Sequence, residues 1–374
     1  MSTSGSTRAV SALPKLGNTL PRRIAILRAL QLGDLLVAVP ALRALRAALP
    51  YASITLIGLP WARAFVERFH SYVDHYLEFP GYPGLPEREP QIRKIPAFLA
   101  KAQQRQFDLA LQMHGSGKDV NAITAMLGAR ACAGFYSPGG YCPDVERFMP
   151  FPQHEHEIWL LLRLLEFLGV PVAGDELEFP LTETDWQRFY KVKDAAELTG
   201  TDYVCIHAGA RFPSRRWPAE RFAVVADALA QKGLRVVLTG TTAESELTAS
   251  VSQSMRAPHL NLAGKIDDLG AFGALLSGAR LIVANDTGVS HIAAGLKVPS
   301  VIITTGSDPY RWGPLNRALH HNLYHEIACR PCEHFRCPIG HLCALSVTPD
   351  EVLAHANELL QHERKEAFAA LCAA

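Results

Sequence analysis

Val283-Ala284-Asn285-Asp286-Thr287-Gly288-Val289-Ser290-His291-Ile292-Ala293-Ala294-Gly295 is the stretch whose reading decides the fold. An apolar run, Leu281 to Ala284, stops at Asn-Asp-Thr-Gly, and a small-residue helical pattern follows. That order predicts a buried strand, a tight turn and a helix N-terminus. Such a turn gathers free backbone N–H groups and the positive end of a helix at one point, which suits a phosphate. Asp286, Thr287 and His291 place a carboxylate, a hydroxyl and an imidazole beside it. Anion donors next to a hydrogen-bonding carboxylate are what a nucleotide-sugar site requires.

The same strand–helix rhythm extends in both directions. Upstream, Tyr203 to Ile206, Val236 to Leu238 and Leu281 to Val283 read as strands, and Ser300 to Ile303 follows. Helices are expected at Ala219 to Ala230, Glu244 to Ser254 and Asp268 to Ser277. In the first half, strands are expected at Ile24 to Leu27, Ile54 to Ile57 and Leu109 to Met113. Helices are expected there at Leu35 to Leu49, Trp61 to Phe69 and Glu157 to Leu168, the last closed by Gly169. Phe79 to Pro90 and Gly134 to Pro152 read as loops. A polar, partly helical stretch from Thr182 to Thr201 lies near the junction of two halves. Alternation of this kind predicts an α/β protein made of two doubly wound parallel sheets, with ligands at the carboxyl ends of strands in a cleft between them.

The expected division is a disordered tail over residues 1–20, an N-terminal domain over 21–175 and a C-terminal domain over 176–348. A last helix, 349–366, is expected to pack back on the first domain. It opens with Thr348-Pro349-Asp350-Glu351, a capping-box pattern with Pro at the first helical position. The chain has 374 residues, 48% apolar and 20% charged, ordinary for a soluble globular protein. Its 37 basic and 36 acidic residues leave a formal charge of +1, which gives no support for nucleic-acid binding. No window has the ~18 uninterrupted apolar residues of a spanning helix. The Ser/Thr/Gly-rich start has no secretory pattern, so the expected compartment is the cytoplasm.

Two further elements carry chemistry. The first strand runs into Arg28-Ala29-Leu30-Gln31-Leu32-Gly33-Asp34. Gly33 permits a tight turn, and Asp34 at the helix start is either a helix N-cap or a carboxylate able to act as general base. The second is His207-Ala208-Gly209-Ala210-Arg211-Phe212-Pro213-Ser214-Arg215-Arg216-Trp217-Pro218. Small residues admit a ligand close to the backbone, and arginines pair bidentately with phosphate oxygens. The structural alternatives are a solvated basic loop and a Trp217 packing anchor.

In this order the three elements resemble glycosyltransferase family 9, the lipopolysaccharide heptosyltransferase family, from about Arg22 to Leu359. The marks are Leu32, Gly33, Asp34 and Pro40; then Arg215, Trp217 and Pro218; then Asp286, Thr287, Gly288 and His291. The resemblance implies a GT-B fold and an inverting transfer, typically from ADP-heptose and without a catalytic metal or other catalytic cofactor. It implies Asp34 as the catalytic carboxylate and Arg215, where the family usually has Lys, on the donor diphosphate. Asp286 is implied on sugar hydroxyls, with Thr287, Gly288 and His291 in the diphosphate region. Gly209 and Ala210 stand where heptosyltransferases often carry hydroxyl residues, which leaves another donor open. Arg211 and Arg216 join the expected cationic set, and Glu244 is a nucleoside contact or simply a favourable first-turn acid. His114, in Met113-His114-Gly115-Ser116-Gly117, joins Gly33 on the acceptor side.

The implied acceptor is a lipopolysaccharide core or other glycan, with at most peripheral contact at the inner face of the cytoplasmic membrane. Alternatives are transfer to a protein, a nucleotide-sugar epimerase and a degenerate metal-bearing binding or scaffold protein. Cys329, Cys332, Cys337 and Cys343 fall within fifteen residues, and thiolates so spaced can hold a structural Zn or Fe. One branch of the resembled family, the autotransporter heptosyltransferases, is similar in carrying a four-cysteine finger; the alternative is free thiols in an irregular loop. His154-Glu155-His156-Glu157 is read as solvated or cleft-lining, since histidines two apart do not share a helix face.

Overall fold

Among the described residues, twelve strands, every pairing parallel, form two six-stranded sheets. They are β1 (Arg23–Leu27), β2 (Ser53–Gly58), β3 (His75–Glu78), β4 (Leu109–Gln112), β5 (Ala131–Tyr136), β6 (Phe148–Pro150), β7 (Tyr203–His207), β8 (Arg235–Thr239), β9 (His259–Asn261), β10 (Leu281–Asn285), β11 (Ser300–Ile303) and β12 (His320–Leu323). The strand orders are β3-β2-β1-β4-β5-β6 and β12-β11-β10-β7-β8-β9. This computed structural model describes residues 13–16 and 19–373, with only the backbone of 14, 196 and 362–373. The chain divides into one unit of residues 1–153 and 158–175 and another of 154–157 and 176–374.

The two sheets repeat one plan. In each, the first strand of the unit pairs with its second on one side and its fourth on the other. In the first unit, Ile24 is opposite both Ile54 and Leu109. In the second, Val204 is opposite both Val236 and Leu281. The order therefore reverses between β1 and β4 and between β7 and β10. Loops at such reversal points part, and ligands of doubly wound sheets bind there. Both central strands of the second sheet are buried along their whole length, as expected for parallel strands covered on both faces.

Several expectations need correction. The helix expected over Leu35 to Leu49 is two helices, Leu32–Leu36 and Val39–Ala48. Pro40 lacks an N–H and its ring would meet the carbonyl of Leu36, so the helix breaks and restarts with Pro40 in its first turn. The loop expected over 134–152 holds the end of β5 and all of β6, which pair through Gly134 and Phe148.

The last helix, Pro349–Ala373, buries Val352, Ala356 and Leu359 in one core with Val301, Ile303, Leu323 and Phe222. These described residues pack in the core of the second unit. Of the expected disordered tail, residues 1–12, 17 and 18 lie outside the described residues. Leu13 and Leu16 are buried about a short turn at Pro14–Leu16.

Candidate functional site

In the first unit, the loops leaving β1 and β4 are held by a buried cation. Arg28 is 1% exposed. Its Nε donates to the Asp34 carbonyl at 2.7 Å, and its guanidinium also donates to the Met113 carbonyl. Asp34 is not the N-cap of the helix Leu32–Leu36. Gln31 is the cap, and Asp34 is the third helical residue, its Oδ2 accepting the Gln31 N–H at 3.1 Å. Gly33 lies inside that first turn rather than at a left-handed turn.

On the β4 side, Gln112 donates to the His114 and Gly115 carbonyls at 2.7 and 3.2 Å and accepts the Phe135 N–H at 2.9 Å. Gly117, at φ +80°, packs where a Cβ would lie 2.2 Å from the Phe135 carbonyl, so the turn admits only glycine. His114 is 6% exposed and accepts the Ala29 N–H at Nδ1, 3.2 Å away. Its Nε2 lies 3.7 Å from the Glu87 carboxylate. The neutral imidazole thus carries its proton on Nε2, aimed at that acid. Sequence reasoning named Asp34, Gly33 and His114 but missed Arg28, Gln112 and Glu87, which have no motif and act through the chain's return.

In the second unit, Asn285 ends β10 fully buried and joins the two loops. Its Oδ1 accepts the Trp217 N–H at 2.9 Å and its Nδ2 donates to the Ala208 carbonyl at 2.7 Å. Trp217 is the expected packing anchor: it is completely buried and its Nε1 donates to the Val347 carbonyl at 3.0 Å. Between these points the loop makes a short turn, Pro213–Arg215.

That turn brings Arg215 to Asp286. The Asp286 carboxyl accepts from the Ser307 hydroxyl. Burial pushes its pKa above the usual carboxylate value although part of the residue still meets solvent, and Ser307, Arg215 and Arg330 pull the other way. The Arg215 Nε is buried and makes no hydrogen bond, a charged donor without an acceptor. Arg330 holds the carbonyls of Thr304, Ser307 and His325 at 3.0–3.2 Å. Asp286 thus lies within electrostatic reach of two guanidinium groups beside the start of the helix Gly288–Leu296, whose cap Thr287 accepts the Val289 N–H at 3.4 Å.

The other expected donor residues divide. Glu244 is folded over Gly209, where a Cβ would lie 2.1 Å from the carboxylate, and the same carboxylate caps its own turn through Thr241. Ala210 offers its carbonyl to the Arg216 Nε at 2.9 Å, so Arg216 braces the loop. Arg211 is exposed and lies over the Phe212 ring. The second cation at Asp286 is Arg330, which sequence reasoning missed.

His291 is buried, and burial, with His156 close by, pushes it down to about 4 against the pull of Glu157. It is a neutral group and adds no charge for a phosphate. His156 and Glu157 are not solvated: His156 Nε2 meets the Gly313 carbonyl at 2.8 Å, and Glu157 accepts from Arg311 at 2.6 and 3.0 Å.

The cysteine-rich loop braces the arginine turn. The Ser214 hydroxyl donates to the His334 carbonyl, the Ser214 N–H donates to the Phe335 carbonyl at 3.2 Å, and His341 Nε2 meets the Ser214 carbonyl at 2.8 Å. Cys332 N–H donates to Gly306 at 2.8 Å. Cys343 is buried with Cys332 and Cys337 in electrostatic range, and Cys329 is exposed. The donor set is right in kind for Zn or Fe. Among the described residues, however, the one group of three donors with all ligand atoms within 4.8 Å is His321, His355 and Glu358, and it includes no cysteine.

Glycosyltransferase family 9 (heptosyltransferase) matches residues 97–343, more than half of the 374-residue chain. Lipopolysaccharide heptosyltransferase 3 of Escherichia coli is 30% identical over 156 residues, 41% of this chain and 45% of that protein. Lipopolysaccharide heptosyltransferase 1 of Pseudomonas aeruginosa is 26% identical over 245 residues, 63% of this chain and 64% of that one. The chain thus matches about half to two-thirds of the length of these curated relatives. The solved E. coli ADP-heptose lipopolysaccharide heptosyltransferase II superimposes with a TM-score of 0.72 at 19% identity, over 91% of this chain and 99% of that one. That likeness shows the two-domain α/β GT-B fold that the sheets also describe. With the family match covering more than half of the chain, including all of the second sheet, the chain belongs to glycosyltransferase family 9.

Proposed function

We propose that this chain is an inverting glycosyltransferase that moves heptose from ADP-heptose to a hydroxyl of a lipopolysaccharide core acceptor. The observation that carries the proposal is the Asp286 carboxylate within electrostatic reach of Arg215 and Arg330 beside a helix start. An unpaired Arg215 donor there suits a diphosphate, and a neighbouring carboxylate suits sugar hydroxyls. Asp34 is the general base: it accepts the acceptor hydroxyl proton as the oxygen attacks the anomeric carbon, and ADP leaves from the opposite face. Charge growing on ADP is met by Arg215, Arg330 and the N-terminus of the helix Gly288–Leu296, so the step needs no divalent ion. His114 and Gly33 stand on the acceptor side. Glu244, Gly209, Ala210 and Thr287 shape the donor loops.

The family and the names of the curated relatives support heptose and the lipopolysaccharide core. No described helix is long and apolar enough to cross a membrane. We place the work at the cytoplasmic face of the inner membrane, reached by peripheral contact. The test is ADP release from ADP-heptose with a heptose-deficient core acceptor, against a panel of nucleotide sugars. Release that requires the acceptor and lengthens it by one heptose is expected. Faster turnover of another nucleotide sugar on the same acceptor would reassign the donor.

A further inference from the structure

A second cluster of chemistry lies away from the residues assigned to transfer. β12 is the edge strand of the second sheet. Its Leu323 packs in the core with Val352, Ala356 and Leu359 of the last helix. His321, two residues earlier, shares that face of the strand. His355 and Glu358, three residues apart on the helix, lie beside the same apolar stripe and are neighbours on its surface. The two imidazoles meet edge to face, with centroids 4.9 Å apart and planes at 89°. Their Nδ1 atoms are 2.9 Å apart. The Glu358 Oε2 is 4.0 Å from the Nδ1 of His321 and 3.9 Å from that of His355.

We infer that His321, His355 and Glu358 form a zinc site that ties the last helix to the edge strand. Four ligands at the ~2.0–2.1 Å bonds of a tetrahedral zinc stand about 3.3 Å apart. The three observed separations bracket that value, so one ion reaches all three once each separation changes by roughly 0.4–0.7 Å.

The protonation states agree. Two Nδ1 atoms at 2.9 Å share at most one proton between them, and a cation that takes both lone pairs replaces it. Access is open: the side chains of His321, His355 and Glu358 are 14%, 37% and 62% exposed, which leaves the fourth position to water. The adjacent pair of His325 and Glu351, 3.1 Å apart, is engaged with itself. An ion here would fasten the strand that leads, through Tyr324, into the segment carrying Arg330.

The experiment uses the untagged full-length chain, stripped with EDTA and titrated with zinc chloride alone by calorimetry and thermal melting. It is run on the wild type and on a Cys332→Ser/Cys337→Ser variant, so that zinc held by thiols is separated. One zinc per chain should bind in the cysteine variant and raise its melting temperature. His321→Ala in that background should weaken binding by roughly tenfold or more, as loss of one of three protein ligands requires. Glu358→Gln, at an exposed position that the apolar core does not use, should do the same without changing the metal-free melt. An unchanged isotherm in both substitutions would overturn the site, as would zinc binding that disappears with the two cysteines.

Discussion

On the proposed mechanism Asp34 serves two purposes that substitution can separate. Its Oδ2 closes the first turn of its helix by accepting the Gln31 N–H, and its backbone carbonyl is held by Arg28 whatever the side chain. Asp34→Asn keeps a carbonyl oxygen for the cap, so stability should change by only a few tenths of a kcal/mol. Asp34→Ala removes that hydrogen bond and should cost about 0.5–1.5 kcal/mol. At roughly 2–4 °C per kcal/mol for a domain of this size, that lowers the melting temperature by a few degrees. Loss of a general base costs about 10²–10⁴ in rate, or roughly 3–5 kcal/mol of barrier. Both variants should therefore lose kcat by the same large factor while only Asp34→Ala loses stability. ADP affinity, set in the second unit, should stay within about twofold in both. The assay is coupled ADP release at saturating donor, with melting curves and ADP calorimetry on the same preparations. Turnover of Asp34→Asn within about threefold of wild type would refute the base and leave Asp34 as the residue that closes the first helical turn.

Arg215→Ala should weaken ADP by roughly tenfold or more and leave adenosine nearly unchanged, since a charge-assisted contact to phosphate is worth about 1.5–3 kcal/mol; equal losses in calorimetry would contradict the assignment. Asn285→Leu keeps the size but strands the Trp217 N–H and the Ala208 carbonyl, so it should cost roughly 2–6 kcal/mol and be read as a large drop in the melting temperature. Transfer rates in EDTA should match those in Mg²⁺ for protein that remains folded; activity lost on brief chelation and restored by Mg²⁺ would show that the arginines are not sufficient. His291 and His320 are both held down to about 4, so the unfolded chain binds more protons than the folded one between about pH 4 and the ordinary histidine value. Their contribution to stability should therefore fall as pH drops from about 6.5 to 4, and His320→Asn should flatten the slope measured by denaturant titration.

Central strands were legible and edge strands were not, for a physical reason. β1, β2, β4, β7, β8, β10 and β11 are apolar runs that both faces of a sheet bury, and each was read within a residue or two. β3, β6, β9 and β12 are the four sheet edges. An edge strand such as His320-His321-Asn322-Leu323 is short and polar, and its pairing is supplied by the neighbour. β5 was hidden by the glycine and aromatics that suggested a loop. Of the candidate site, residues in short local motifs were the ones sequence reasoning could name: Asp34, Arg215, Asp286 and Thr287. Arg330 was not, because its place at Asp286 depends on a loop that returns from β12. Glu157 and His156 looked solvated because nothing local announces Arg311 or the Gly313 carbonyl, more than 150 residues away.

The two units also share a device that neither sequence half displays. At each reversal of strand order, one buried polar side chain clamps the loops on both sides. Arg28 spans from the Asp34 carbonyl to the Met113 carbonyl, and Asn285 spans from the Ala208 carbonyl to the Trp217 N–H. Both clamps bond backbone atoms, so they fix where the following residues emerge without choosing what those residues are. The chemistry at the two reversals can then differ, a carboxylate and a neutral imidazole in one, a carboxylate within reach of guanidinium groups in the other. The clamps also explain why Asp34 and Asp286 need not hold the loops themselves. Their carboxylates accept from near neighbours, Gln31 and Ser307 respectively, while the loop geometry is carried by groups that solvent does not reach. A substitution at a clamp should thus disturb every residue of its site together, whereas one at a carboxylate should act on a single step.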